Sequence, residues 1–306
     1  MDGVLLLDKP SGVSSNAALQ RARRLFAAEK AGHTGTLDPL ASGLLPVCFG
    51  EATKFAQSLL DADKRYRATV RFGVATTTGD AEGEVVDRGR VDFDRAALEA
   101  ALAGFVGRIR QVPPRHSALK HQGKPMYAYA RAGIDVPREP REVEIRALSL
   151  VDWTPPDAVV DVTCSKGTYV RTLAEDLGTA LGTHAHLAAL VRTGTGGFNL
   201  ADAITVDAIE ALSPEDRLAW LRPVDCLLAA LPRLDLPLDA TRALCCGQTV
   251  VFPGVAPARY RGYDPSGAFV GVISHADGRI SAERMMRSDG PDDVPAPAAP
   301  QSDRST

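Results

Sequence analysis

The sequence has little that would tie it to a metal, a disulfide framework or a membrane. Its five cysteines, Cys48, Cys164, Cys226, Cys245 and Cys246, form no CxxC pair and are odd in number, which fits reduced thiols better than a bridged scaffold. The His184-Ala-His186 pair has no Cys or carboxylate at ligand spacing, so no metal is expected. No apolar run approaches the roughly 18 residues of a membrane span. The opening MDGVLLLDKPSG lacks a basic n-region and breaks its apolar run at Asp8-Lys9-Pro10, unlike a secretory signal. A cytoplasmic protein with no membrane partner is therefore expected. Three catalytic signatures are also missing. Gly194, Gly196 and Gly197 do not give GxGxxG after a strand, no GxSxG elbow occurs, and there is no GxxxxGKS/T phosphate loop, which disfavours a dinucleotide fold, a serine hydrolase and a P-loop enzyme.

Acid is missing from one long window. From Ala100 to Ile134 there is no Asp or Glu, while Arg108, Arg110, Arg115, Lys120, Lys124 and Arg131 fall inside it with His116 and His121. The net charge of −3 hides this segregation, because residues 288–306 hold four acids and one base. Without that stretch, 34 Lys and Arg stand against 34 Asp and Glu. Interleaved with Tyr127 and Tyr129, the basic run suits phosphate contact combined with base or sugar stacking. A solvated basic face would read the same way.

What is present is enough chain for two unequal domains, 306 residues at roughly 100–200 each. Residues 4–7 read as a strand, and Ser14 or Ser15 can cap a helix through about Glu29 whose buried stripe is Leu19, Ala22, Leu25 and Phe26. RYRATVRFG (65–73) alternates, with Tyr66, Ala68, Val70 and Phe72 on one face, the pattern of a half-buried strand. A helix is predicted over 94–103, strands over 142–150 and 158–164, and a helix opened by the capping-box spacing Thr172-x-x-Glu175. That start leaves Tyr169 and Arg171 extended ahead of the helix with their side chains on one face. Strands and helices mix without a βαβ rhythm, which indicates an α+β domain with a mixed, largely antiparallel sheet. From about Pro232 the texture changes to short strands, including a hairpin through Asp277-Gly278. The last stretch, GPDDVPAPAAPQSDRST, has a disordered composition. The expected division is 1–230 for the larger domain, 231–287 for a small β-rich domain, and 288–306 for a disordered tail.

One carboxylate stands alone in AGHTGTLDPLASG (31–43). Asp38 followed by Pro39 is a good N-cap and N1 pair, so it could simply start a helix. Leu37, Leu40, Leu44 and Leu45 could instead seclude a carboxylate from water, and a reactive Asp then needs a cation to stay ionised. Arg171 is the best candidate for it. No second carboxylate lies near in sequence, so two-carboxylate glycoside hydrolysis lacks an identified partner.

GVLLLDKPSGVSSN (3–16), AGHTGTLDPLASGLLPVCFGEATK (31–54), DKRYRATVRFG (63–73), SALK (117–120), YAYAR (127–131) and CSKGTYVRTLAEDLG (164–178) resemble, in the same order, the bacterial tRNA pseudouridine-55 synthases of the TruB type. The likeness spans about residues 3 to 192. It implies an isomerase that needs no cofactor and no metal and acts on one uridine in the tRNA T loop. It implies that Asp38 is the catalytic aspartate, Tyr66 the tyrosine stacked on the target base, and Arg171 the partner of the carboxylate. By the same likeness Tyr169 is the second active-site tyrosine, Leu190 closes the pocket, His33 helps to hold the opened loop, and Lys9 is a phosphate contact in the DKP block. Val191, Thr193 and Gly194 depart from the family pattern. The β-rich segment would be a PUA-like RNA-binding domain, and the protein a monomer whose partner is the tRNA T-arm. The alternative is a tRNA-binding and folding chaperone whose chemistry is secondary.

Overall fold

The computed structural model describes residues 1–115, 117 and 119–287; the expected disordered tail, 288–306, lies outside the described residues. The chain divides into two compact units, one of Met1–Pro223 and one from Val224 onward.

The first unit is built on one large mixed sheet. Its main strands are β1 (Gly3–Lys9), β2 (Ser42–Phe49), β3 (Lys64–Phe72), β4 (Gly107–Gln111), β5 (Arg141–Thr154), β6 (Asp157–Cys164), β7 (Ala185–Thr195) and β8 (Ile204–Thr205), with three short strands paired at their sides. They lie in the order β8-β1-β2-β7-β3-β6-β5-β4. Only β8 with β1 and β2 with β7 pair in parallel along this path, so the sheet is α+β in type and largely antiparallel. Two apolar clusters flank it. Helix α1 (Ser15–Leu25) sets Ala18, Leu19 and Ala22 against Leu5, Leu7, Leu45 and Phe49. Helices α2 (Arg95–Gly104) and α3 (Val170–Ala180) set Leu98, Leu102, Leu173 and Leu177 against Ala68, Val70, Phe72 and Val160. Each fully buried Leu or Phe contributes about 1.5–3 kcal/mol. The alternation read in 65–73 is realised: Ala68, Val70 and Phe72 are buried while Arg67 and Arg71 lie exposed on the other face, each ion-paired with an aspartate of β6, Asp161 and Asp157.

Three local expectations fail for identifiable reasons. The first helix stops at Leu25 rather than near Glu29. Ala27 takes a left-handed φ of 47°, and the amides of Ala27 and Ala28 bond back to the carbonyls of Arg24 and Arg23, a Schellman stop. No helix follows Asp38. Its carbonyl accepts from the Ala41 amide in a single turn, and the apolar run Ser42–Phe49 then goes straight into a central, almost wholly buried strand. Finally, α3 begins at Val170, with Tyr169 at its N-cap. Arg171 is thus in the first helical turn, and the extended two-residue geometry drawn for Tyr169 and Arg171 does not hold.

The second unit is a five-stranded sheet in the order β9 (Arg233–Asp235), β11 (Ala258–Tyr263), β12 (Phe269–Ala276), β13 (Arg279–Met285), β10 (Val250–Val251). Helix α4 (Leu238–Cys245) adds Leu244 to a core of Leu236, Tyr260, Ile273 and Ile280. Asp277 and Gly278, both at positive φ, make the tight turn of the β12-β13 hairpin, as their dipeptide type requires.

Candidate active site

The loop carrying Asp38 is fixed from both sides by the N-terminal block DKPSGVSS. Ser15, 2% exposed, accepts the Leu37 amide at 2.8 Å and donates to the Leu37 carbonyl at 2.9 Å. The Gly12 amide donates to the Pro39 carbonyl at 2.7 Å. Lys9 is wholly buried, and its ammonium donates to the carbonyls of Pro10 and Val13 at 2.8 and 2.6 Å. A phosphate contact needs an exposed head group, so Lys9 is not placed as one. It braces the N-terminal block from inside, and burial, reinforced by the nearby Arg192 charge, brings its pKa down to about 8.

The Asp38 carboxylate points at a cation. Arg171 Nη2 lies 3.0 Å from Oδ2, with the Arg171 side chain 5% exposed and that of Asp38 42%. The other guanidinium nitrogen reaches Asp80 at 3.5 Å and the Thr78 carbonyl at 3.3 Å. Asp80 is itself buried and accepts from the Thr78 hydroxyl and the Glu82 amide. Burial pushes the Asp38 carboxyl up from its ordinary value; Arg171 opposes that shift, Asp80 adds to it, and Lys9 weakly opposes it. The result is a partly desolvated carboxylate with one open edge.

Two cavities meet at this carboxylate. One, of about 440 Å3, is lined by Asp38, Tyr66, Tyr169, Arg171, Leu190 and Arg192 among others. The second, of about 740 Å3, carries Asp38, His33, Asn16, Asp80 and Glu82 on its walls. Strand β3 delivers Tyr66, half-buried, whose hydroxyl pKa is raised by burial and restrained by Arg192. Tyr169 is held through its backbone: the Gln111 side chain accepts from its amide at 3.0 Å and donates to its carbonyl at 3.3 Å. Leu190 on β7 is 8% exposed. His33 ends a three-residue strand paired with β2. Burial lowers its pKa, and its Nδ1 is buried with no hydrogen-bond partner among the described residues.

The structure therefore brings Asp38, Arg171, Tyr66, Tyr169 and Leu190 to one cavity and His33 to the adjoining one. Sequence reasoning missed Asp80, Arg192, Gln111 and Ser15. The signal for Asp80 was a polar turn, Thr76-Thr-Thr-Gly-Asp80; that for Arg192 was a cation inside the otherwise apolar strand LAALVR. A loop carboxylate paired to a buried arginine and opening on a pocket with tyrosine and leucine walls is a perturbed titratable group in a concave, partly apolar site, the arrangement of an enzyme active site.

Solved structures share the fold. A solved structure described as a Cbf5-Nop10-Gar1 complex has a TM-score of 0.70 at 24% identity, covering 92% of this chain and 84% of that one. An H/ACA RNP bound to a substrate RNA containing 2′-deoxyuridine gives 0.70 at 22%, covering 94% and 85%. The model of the TruB family pseudouridylate synthase N-terminal domain matches residues 23–170, and that of the tRNA pseudouridylate synthase B C-terminal domain matches 171–229. Proteins named tRNA pseudouridine synthase B are 58% identical over 293 residues in Burkholderia mallei (94% of this chain, 97% of the relative) and 57% over 288 in Thiobacillus denitrificans (94% and 96%). The chain belongs to the TruB family of pseudouridylate synthases, and is an isomerase.

Proposed function

We propose that this enzyme converts uridine 55 in the T loop of tRNA to pseudouridine, with Asp38 as the catalytic group. The observation that carries the reading is the Asp38–Arg171 pair at 3.0 Å, set beside a cavity walled by Tyr66, Tyr169 and Leu190. A loop uridine must leave its stack to react, at a cost of a few kcal/mol. The Tyr66 ring offers the face that receives it, and Leu190 closes the opposite side. The C1′–N1 bond breaks, the uracil turns within the pocket, and C1′ joins C5; the proton on C5 leaves and N1 gains one. Atoms balance within the substrate, so the conversion needs no net oxidant, reductant or group donor. An ionised Asp38 serves addition to C1′, addition to C6, or removal of the C2′ proton, and Arg171 keeps it ionised.

His33, on the wall of the larger cavity, would hold the opened loop. The basic segment 100–134 would grip the T-arm backbone. Exposed Arg108 and Arg115 are only loosely offset there, by Glu142 at 3.5 Å and Asp135 at 3.2 Å, acids from outside the segment. The second unit, a small sheet with one helix, would act as the PUA-like RNA contact. The enzyme would work as a monomer in the cytoplasm.

The test is tritium release or mass analysis on an unmodified tRNA transcript, with uridine 55 replaced by cytidine as control. Wild-type protein is expected to form pseudouridine only on the first RNA, and Asp38→Asn to bind RNA but form none. Turnover by Asp38→Asn near the wild-type rate would sink the assignment; binding and refolding of tRNA without turnover by the wild type would favour the chaperone reading.

A further inference from the structure

We propose that Arg192 is a positioning residue that sets the distance between the Asp38 carboxylate and the Tyr66 ring. The proposal rests on the roles just given to those two residues. Arg192 is 1% exposed and among the largest fully buried side chains of the protein. Its Nε donates to the Leu44 carbonyl at 2.6 Å and its Nη2 to the Gly35 carbonyl at 3.1 Å. Those two carbonyls lie on either side of Asp38, so one planar guanidinium clasps both legs of the catalytic loop. Its charge also acts on the Tyr66 hydroxyl, opposing the rise that burial gives that group's pKa.

The backbone repeats the connection. Arg192 pairs with Gly43 in the parallel ladder to β2 and with Tyr66 in the antiparallel ladder to β3. The approach to Gly43 is so close that a Cβ there would lie 2.5 Å from the Arg192 carbonyl oxygen. One residue thus joins the loop of the proposed catalyst, on one strand, to the proposed stacking residue, on another.

No carboxylate forms an ion pair with Arg192 among the described residues, and its charge acts on Lys9, His33 and Lys64 as repulsion. A buried cation with that surround is expensive to keep, whereas apolar packing needs no guanidinium. The feature that a guanidinium supplies and an ammonium does not is a rigid fork, able to hold several acceptors in fixed directions at once. A displacement of about 1 Å between reacting groups can cost about 100-fold in rate.

The experiment compares wild type, Arg192→Lys and Tyr66→Phe in single-turnover assays on tRNA transcript, with RNA affinity and thermal melting measured alongside. Arg192→Lys keeps the charge and loses the fork. It is expected to slow the single-turnover rate by about 100-fold while RNA affinity stays within about threefold, the split that marks lost transition-state geometry. A rate within about threefold of wild type, or a rate loss matched by an equal loss of binding, would overturn the proposal. Should Arg192→Lys fail to fold, Tyr66→Phe decides alone, because it keeps the ring and removes only the hydroxyl. About tenfold slower reaction with unchanged binding is then expected, and a wild-type rate overturns the proposal. An active Asp38→Asn would instead remove the reading on which it rests.

Discussion

Replacing Arg171 by Met should separate chemistry from stability. At 3.0 Å from Asp38, an effective dielectric of about 20 gives roughly 5 kcal/mol of attraction. Asp38 is 42% exposed, so solvent screening reduces the working figure to about 2–3 kcal/mol. If that attraction holds the carboxylate ionised and aimed, its loss slows single-turnover pseudouridine formation by about 30- to 150-fold. A second consequence concerns Asp80, whose side chain is 4% exposed. Without the guanidinium it becomes a buried, uncompensated charge, costing about 3 kcal/mol, at the lower end because Thr78 and Glu82 still donate to it. Adding Asp80→Asn to Arg171→Met should therefore recover most of the urea midpoint and none of the rate. A single mutant reacting within about threefold of wild type, or a double mutant that regains activity together with stability, would refute the reasoning.

Three further outcomes follow from the same geometry. Because burial raises the Asp38 pKa and Arg171 only partly reverses it, the acid limb of the rate should lie above the ordinary carboxylate value of 3.8 and move higher in Arg171→Lys; a limb at or below 3.8 contradicts this. The sign for stability is opposite, since the folded chain holds that proton more tightly, so the Asp38 contribution grows as pH falls through the folded pKa towards the unfolded one. Gly43→Ala would force a Cβ to 2.5 Å from the Arg192 carbonyl at a φ of +96° and should cost at least about 2 kcal/mol, read from urea denaturation; an unchanged midpoint would deny the close approach. Binding of tRNA should weaken with a log–log salt slope steeper than about −3, several phosphate contacts at about −0.9 each, whereas a flat response removes the basic segment as the grip.

Features governed by short-range rules were legible in the sequence. The Tyr66 face of β3 followed from alternation alone, and Asp277-Gly278 from turn chemistry. Long-range pairing was not. Asp80 meets Arg171 because the 76–83 turn docks on β7, where the Ala81 amide bonds to the Leu187 carbonyl at 3.0 Å and the Leu187 amide to the Gly79 carbonyl at 3.0 Å. No local spacing encodes that contact. Lys9, expected from the family likeness to contact phosphate, differs for a related reason: here the chain folds its own carbonyls around the ammonium. Arg171 looked extended because Thr172-x-x-Glu175 has capping-box spacing, yet the helix starts at Val170, just after Tyr169, whose amide the Gln111 side chain accepts from a strand 58 residues away.

That no helix starts at Asp38 bears on the role proposed for a lone carboxylate. An N-cap aspartate gives its oxygens to the N2 and N3 amides. Hydrogen bonds of that kind favour the charged form and hold its pKa down, leaving a weak base with its lone pairs already engaged. In this loop no helix follows, and the Ala41 amide, which would be the N3 group, bonds to the Asp38 backbone carbonyl at 3.1 Å rather than to its carboxylate. The carboxylate is left with Arg171 on one oxygen and an open edge towards the cavity. Burial then raises its basicity while the arginine opposes that rise. Rigidity comes instead from the Ser15, Gly12 and Arg192 bonds to the loop backbone. The backbone is tied down so that the side chain need not be.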